Sequence, residues 1–165
     1  MKRRVFTVIL LALLVSGFAP AHAQKSDKKE EEFKKMTALI ESDQYEFRVQ
    51  SVNPTGGRTI HPSSIYTLTA NEGVFKANLP YFGRAYQASY GGNGGIEFDG
   101  EPEEVQITMN EKKRYVTVSF KISGGNDRYT VSLQAGYKGY GTLNITCRNR
   151  QPISYYGTIS ALKVP

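Results

Sequence analysis

This sequence predicts an all-β protein. It reads as an antiparallel meander forming a small barrel or sandwich, with one amphipathic helix at its N-terminal side. Three observations carry that expectation. From Gln44 onward apolar residues recur at every second position, the period of a strand with one face on a core and one in water. Short turns rich in Gly, Asn, Asp and Lys separate the alternating segments. Tyrosine and glycine, eleven and sixteen residues respectively, are abundant for a 165-residue chain without tryptophan, a composition that suits strands and tight turns.

The first element is a leader. Lys2, Arg3 and Arg4 precede an apolar stretch from Val5 to Ala19, and Ala21-His22-Ala23 places small residues where a signal peptidase reads them. The expected organisation is a signal peptide at 1–23 cut between Ala23 and Gln24, a flexible lead-in at 24–29 and a single β domain at 30–165. Removing residues 1–23 takes away three of the 21 Lys and Arg and none of the 15 Asp and Glu. The remaining 142 residues then carry a net charge of +3. That is enough chain for one self-sufficient core, with no transmembrane segment after cleavage, and the charge is too modest for a nucleic-acid footprint. Cys147 is the only cysteine. An internal disulfide is therefore excluded, and so is the lipid-bearing cysteine of a lipoprotein. The expected location is periplasmic or secreted.

Next comes the helix. Asp27 with Glu30 has capping-box spacing, and Phe33, Met36, Leu39 and Ile40 recur at helical spacing, predicting a helix over about 28–42. Glu30-Glu31-Glu32 would then occupy its first turn, where the helix dipole favours negative charge.

The strands follow. Inward rows are expected at Tyr45, Phe47 and Val49; at Val105, Ile107 and Met109; at Val116, Val118, Phe120 and Ile122; at Tyr129, Val131, Leu133 and Ala135; at Leu143, Ile145 and Cys147; and at Ile153, Tyr155 and Ile159. Asn71-Glu72-Gly73 would join strands at Ile65–Ala70 and Val74–Asn78. Turns at Asn110–Lys113, Gly124–Asp127 and Gly136–Gly139 make the last four or five strands a meander. Asn53–Ser64, with Pro54, Gly56, Gly57 and Pro62, reads as a loop. Leu79–Gly100 breaks the pattern. It is rich in glycine, carries Tyr81, Phe82, Tyr86, Tyr90 and Phe98, and has room for short edge strands at Ala85–Ser89 and Ile96–Phe98.

The run Leu79-Pro80-Tyr81-Phe82-Gly83-Arg84-Ala85-Tyr86, the following Gly91-Gly92-Asn93-Gly94-Gly95-Ile96-Glu97-Phe98, and Asn149-Arg150 before Ile153-Ser154-Tyr155-Tyr156-Gly157 carry a resemblance. The chain resembles domain-of-unknown-function family 4251, an uncharacterised family of exported Bacteroidetes proteins, over about residues 30–162. The resemblance implies a small secreted β domain and a Bacteroidetes-like source. It brings no activity and no site residues.

The supply of catalytic groups is thin. After residue 23 the one histidine is His61, in a loop before Pro62, with no nucleophile motif beside it. One His and one Cys fall short of a zinc site. Glu97, Asp99, Glu101, Glu103 and Glu104 match no calcium-loop spacing and are expected as a solvated turn. The expectation is that the protein is not an enzyme and needs no cofactor or metal. In phase with Leu143 and Ile145, Cys147 is expected to be a buried, inert thiol. The stretch at 79–98 is the best candidate for binding, because glycines let a backbone approach closely while Tyr and Phe offer flat contact area; the alternative, which the usual burial of large aromatics favours, is that Tyr81, Phe82 and Tyr86 fold back to plug one end of the β core. Tyr81, Arg84, Tyr86 and Tyr90 are the candidate ligand-binding residues, with Phe82 expected to be buried beneath them. The function expected is non-enzymatic binding of a small molecule, a glycan or an envelope protein. A structural or protein-interaction module is the alternative, and a small hydrolase stands third. Sequencing the N-terminus of the exported protein should find Gln24 first; a chain still beginning in the apolar segment would make it an anchored protein.

Overall fold

The computed structural model of the protein describes residues 21–85, 94–125 and 127–163. Two compact units divide the chain at Glu31/Glu32. Within the first, residues 21–31 form the beginning of helix α1 (Ala21–Glu41). The second contains the end of α1 and nine antiparallel strands: β1 (Gln44–Pro54), β2 (Thr67–Asn71), β3 (Val74–Leu79), β4 (Ile96–Gly100), β5 (Glu103–Asn110), β6 (Tyr115–Gly124), β7 (Asp127–Gly136), β8 (Tyr140–Cys147) and β9 (Ile153–Ala161). The helix begins earlier than its capping-box spacing predicts. Residues 24–29, expected as a lead-in, are helical, and the acidic run lies mid-helix rather than in the first turn. No Gly or Pro interrupts residues 21–41, and Ala, Lys and Glu are strong helix formers, so nothing local stops the helix at Asp27.

The strands form one sheet in the order β4-β3-β2-β1-β9-β8-β7-β6-β5. It consists of two meanders, β1–β4 and β5–β9, joined where β1 pairs with β9. Barrel and sandwich were both open from the sequence; the sheet is a single curled half-barrel. Its inner face carries the alternating residues: Tyr45, Phe47, Val118, Phe120, Leu133, Leu143, Ile145 and Tyr155 are all buried, and Phe33, Met36 and Ile40 of α1 join the same core. A bulge in β1 keeps the alternation useful. Gln50 is the extra residue between Val49, opposite Gly157, and Ser51, opposite Tyr156. The bulge returns Val52 to the core after Val49.

Turn chemistry sets the registers. In the β2–β3 hairpin Glu72 and Gly73 both have positive φ, 49° and 84°, as a two-residue type I′ turn requires. Asp43, also left-handed at φ 52°, ends the helix and fastens this turn to it. Its carbonyl accepts the Glu72 N–H and its carboxylate accepts the Gly73 N–H.

Two rows depart from expectation. Ile65 lies before β2 rather than in it and is 72% exposed. Val105, Ile107 and Met109 alternate as predicted, but they are 47%, 44% and 45% exposed. They sit on β5, a strand at the end of the sheet order whose one ladder partner among the described residues is β6, so the row has strand neighbours on one side.

Gly157 fixes the approach of β1 to β9. A Cβ there would overlap the Arg48 carbonyl oxygen and press on the Phe47 ring. Gly157→Ala should therefore destabilise by about 3 kcal/mol, read from the urea midpoint, because the clash is with backbone and cannot be relieved by a rotamer change.

Candidate functional site

The stretch between β3 and β4 is anchored by a buried arginine. Arg150 and Asp127 are each 8% exposed, with Arg150 Nε 3.2 Å from an Asp127 carboxylate oxygen. The other carboxylate oxygen accepts the Asn149 side-chain amide at 2.7 Å. Arg150 Nη1 donates to the carbonyls of Gly94 and Gly95 at 3.0 and 2.7 Å, and the guanidinium lies 5.2 Å from the centroid of the Tyr81 ring. A buried ion pair repays its desolvation only when further hydrogen bonds complete it, and this one has them. It joins the start of β7, the β8–β9 link and the residues that lead into β4.

Around this pair the Leu79–Ala85 segment runs from buried residues at its start to exposed ones at its end. Leu79 and Pro80 are buried, and the Pro80 carbonyl accepts the Tyr155 hydroxyl at 2.8 Å. The Tyr81 hydroxyl lies 2.8 Å from the Arg84 carbonyl and 3.1 Å from the Gln151 carbonyl. Arg84 is exposed and holds the segment through its backbone, its carbonyl also accepting the Gln151 N–H. Phe82, expected inside, is 47% exposed. Tyr81, half-buried, takes the inward place instead, with its ring beside the Arg150 guanidinium, and any side chain at Gly83 would collide with the Tyr81 hydroxyl. Ala85 bridges to Arg150, while Tyr86 and Tyr90, and the rest of the expected Ala85–Ser89 strand, lie outside the described residues. A hollow of about 390 Å³ adjoins the segment, lined by Tyr66, Asn78, Tyr81, Phe82, Gly95 and Glu97 among others. Burial lifts the Tyr129 phenol to about 12, partly offset by Arg150; burial also raises Tyr155 well above the usual phenol range.

A second hollow opens at the other end of the curl. It holds about 330 Å³ between the end of α1, the β2–β3 turn and β5, with Ile40, Tyr45, Phe75, Val105, Ile107 and Val118 on its walls and Glu41, Asp43 and Glu101 at its rim. The buried Tyr45 hydroxyl has no hydrogen-bond partner among the described residues, and burial raises its pKa far above the ordinary phenol value. The sequence placed Val105 and Ile107 on an inward row but offered no sign that the row borders an open groove.

The remaining candidates are scattered. Cys147 is only half-buried, packed against the edge of the core, because it ends β8 where the ladder runs out. His61 is exposed, with Nδ1 3.2 Å from the Gln50 carbonyl. The carboxylates read as one cluster separate onto different cations: Asp99 pairs with Lys76 at 2.7 Å, Glu103 with Arg128 and Glu104 with Lys121. Lys121 holds Glu104 below the usual carboxylate range. Among the described residues no three His, Cys, Asp or Glu side chains converge to hold a metal. No helix among them is long and apolar enough to cross a membrane.

Arg150→Ala should lower stability by about 3–5 kcal/mol, since it strands Asp127 in the interior. The denaturation midpoint measures this, and a shift near zero would mean the ion pair does not hold the segment.

Comparison with known proteins agrees with this architecture. A crystal structure of a DUF4251 family protein from Bacteroides eggerthii DSM 20697 is similar, with a TM-score of 0.61 at 17% sequence identity, covering 80% of this chain and 89% of that one. A search of curated proteins finds no match. The family model described as a domain of unknown function, DUF4251, matches residues 27–159. With that match spanning most of its length, the chain belongs to the DUF4251 family.

Proposed function

We propose that the chain is an exported, non-enzymatic binding module of the cell envelope that receives an apolar segment of a partner protein in the groove beside β5. The observation that carries this reading is the exposed row of Val105, Ile107 and Met109 on an edge strand, continuous with the apolar groove. Contiguous exposed apolar surface and an open strand edge both mark association sites. The unpartnered Tyr45 hydroxyl adds to it, because an orphan buried hydroxyl costs about 1–3 kcal/mol that an occupant's polar atom would recover. The charged start and the Ala21/Ala23 pair support export. The separation of the carboxylates onto neighbouring cations supports the non-enzymatic part, since a glycosidase pair must converge across a cleft.

A second reading places a small molecule or glycan in the hollow by Tyr81, where exposed Phe82 offers a ring face and Arg84 a nearby donor fork. One measurement separates the two. Nile red, a neutral apolar dye, should bind the purified protein, and Ile107→Asp should reduce its fluorescence enhancement several-fold. Phe82→Ala should leave it unchanged. Both side chains are about half covered, so each change should cost about 1–2 kcal/mol, and circular dichroism checks that both variants fold before the dye comparison is read. Loss of binding in Phe82→Ala alone would move the site to the Tyr81 hollow.

A further inference from the structure

We infer that the occupant is a second copy of this chain, paired through antiparallel contact of the two β5 strands about Ile107. This inference rests on the groove reading above and names its partner. β5 ends the strand order, so its outer edge has no ladder neighbour in the sheet. Its central sequence, Val105-Gln106-Ile107-Thr108-Met109, is nearly palindromic in chemistry. A two-fold axis through Ile107 sets Val105 opposite Met109 of the second copy and Gln106 opposite its Thr108. One face then joins apolar row to apolar row, and the other joins amide to hydroxyl.

Charge selects the direction. Glu101 stands just before β5, whose first residues Glu103 and Glu104 already pair with Arg128 and Lys121 of the same chain, while Lys112, Lys113 and Arg114 lie just beyond its end. Antiparallel pairing brings each acidic start to the other copy's basic turn, with Glu101 opposite Lys113. Parallel pairing would set acid against acid. The same turn of the second copy then approaches the groove rim, where Glu41 and Asp43 add negative charge. One like-charge opposition, Glu103 with Glu111, remains.

The bulge at Glu104, where φ is 55°, interrupts the register between Glu103 and Gln106 and limits the flat edge to the last part of β5. The pairing is therefore short. It is also isologous, because each copy's β5 edge is used on the other's, so this contact closes at two copies although the β4 end of each sheet stays outside it. So short a contact lies at the small end of interface sizes, and the dimer should dissociate on dilution through the micromolar range.

Sedimentation of the purified protein across that range tests it. The expected result is a monomer–dimer equilibrium that Ile107→Lys, which sets two ammonium groups across the axis, shifts to monomer by at least tenfold in dissociation constant. Met109→Glu should do likewise, and circular dichroism checks that both variants fold. Ile107→Cys should oxidise to a covalent dimer in which the cross-link falls on residue 107, whereas the parent chain with Cys147 should not. A parent protein that stays monomeric throughout, yet binds Nile red in a manner lost in Ile107→Asp, would overturn self-pairing and leave the groove reading standing. A dimer untouched by both variants would place the contact elsewhere and also overturn it. Absence of both dimer and dye binding would overturn the groove reading together with the inference.

Discussion

Two residues, Glu101 and Pro102, join the outermost strands of a nine-stranded sheet. Nine flat strands would hold their outer members about 38 Å apart at the usual spacing. The link from Gly100 to Glu103 reaches no more than about 11 Å. The sheet must therefore roll, and most of the molecule follows from that requirement. The inner face becomes a core lined by every second residue, α1 supplies Phe33, Met36 and Ile40 to it, and β4 comes to lie against β6.

The roll is tight at one end and loose at the other. Where β4 crosses β6, Gly124 lies against the Glu97 carbonyl so closely that no side chain would fit, and Phe98 packs 6.4 Å from Phe120 between ring centroids and 5.9 Å from Tyr129. The Arg150–Asp127 pair secures this end by holding Gly94 and Gly95 as they enter β4. Among the described residues no buried ion pair of this kind draws β5 inward at the other end. Its apolar row faces a gap bounded by Phe75 and Tyr45. The asymmetry has one origin, since pinning β4 onto β6 leaves β5 outside the closure.

How much of this the sequence discloses depends on the range of the interaction. Period-two alternation and turn residues are local, so the meander from β5 to β9 and the Glu72-Gly73 turn are legible from the residues alone. Alternation states which side chains share a face, not whether anything covers that face, so Val105, Ile107 and Met109 read as core although they stand at the open end. The same limit reverses Phe82, whose neighbour Tyr81 takes the inward place because Arg150 waits there. Arg150 and Asp127 lie 23 residues apart, and neither lies in a pattern that signals burial. Asn149-Arg150 stands out only as part of the family resemblance. The helix starts before Asp27 because a capping box describes how a helix can begin, not that the preceding residues cannot already be helical.

The pairing of β1 with β9 has a kinetic consequence. Phe47, near the start of the sheet, faces Ile159, near its end, so the ladder that unites the two meanders closes a loop of over a hundred residues. Such long-range contacts slow the search for the native state. Until the final strand is available, β1 has an open edge and its bulge has no Gly157 to fit against. The first meander can form its hairpins alone, but it cannot finish its side of the core. A chain made from its N-terminus therefore keeps its two meanders ununited until its last strand is available.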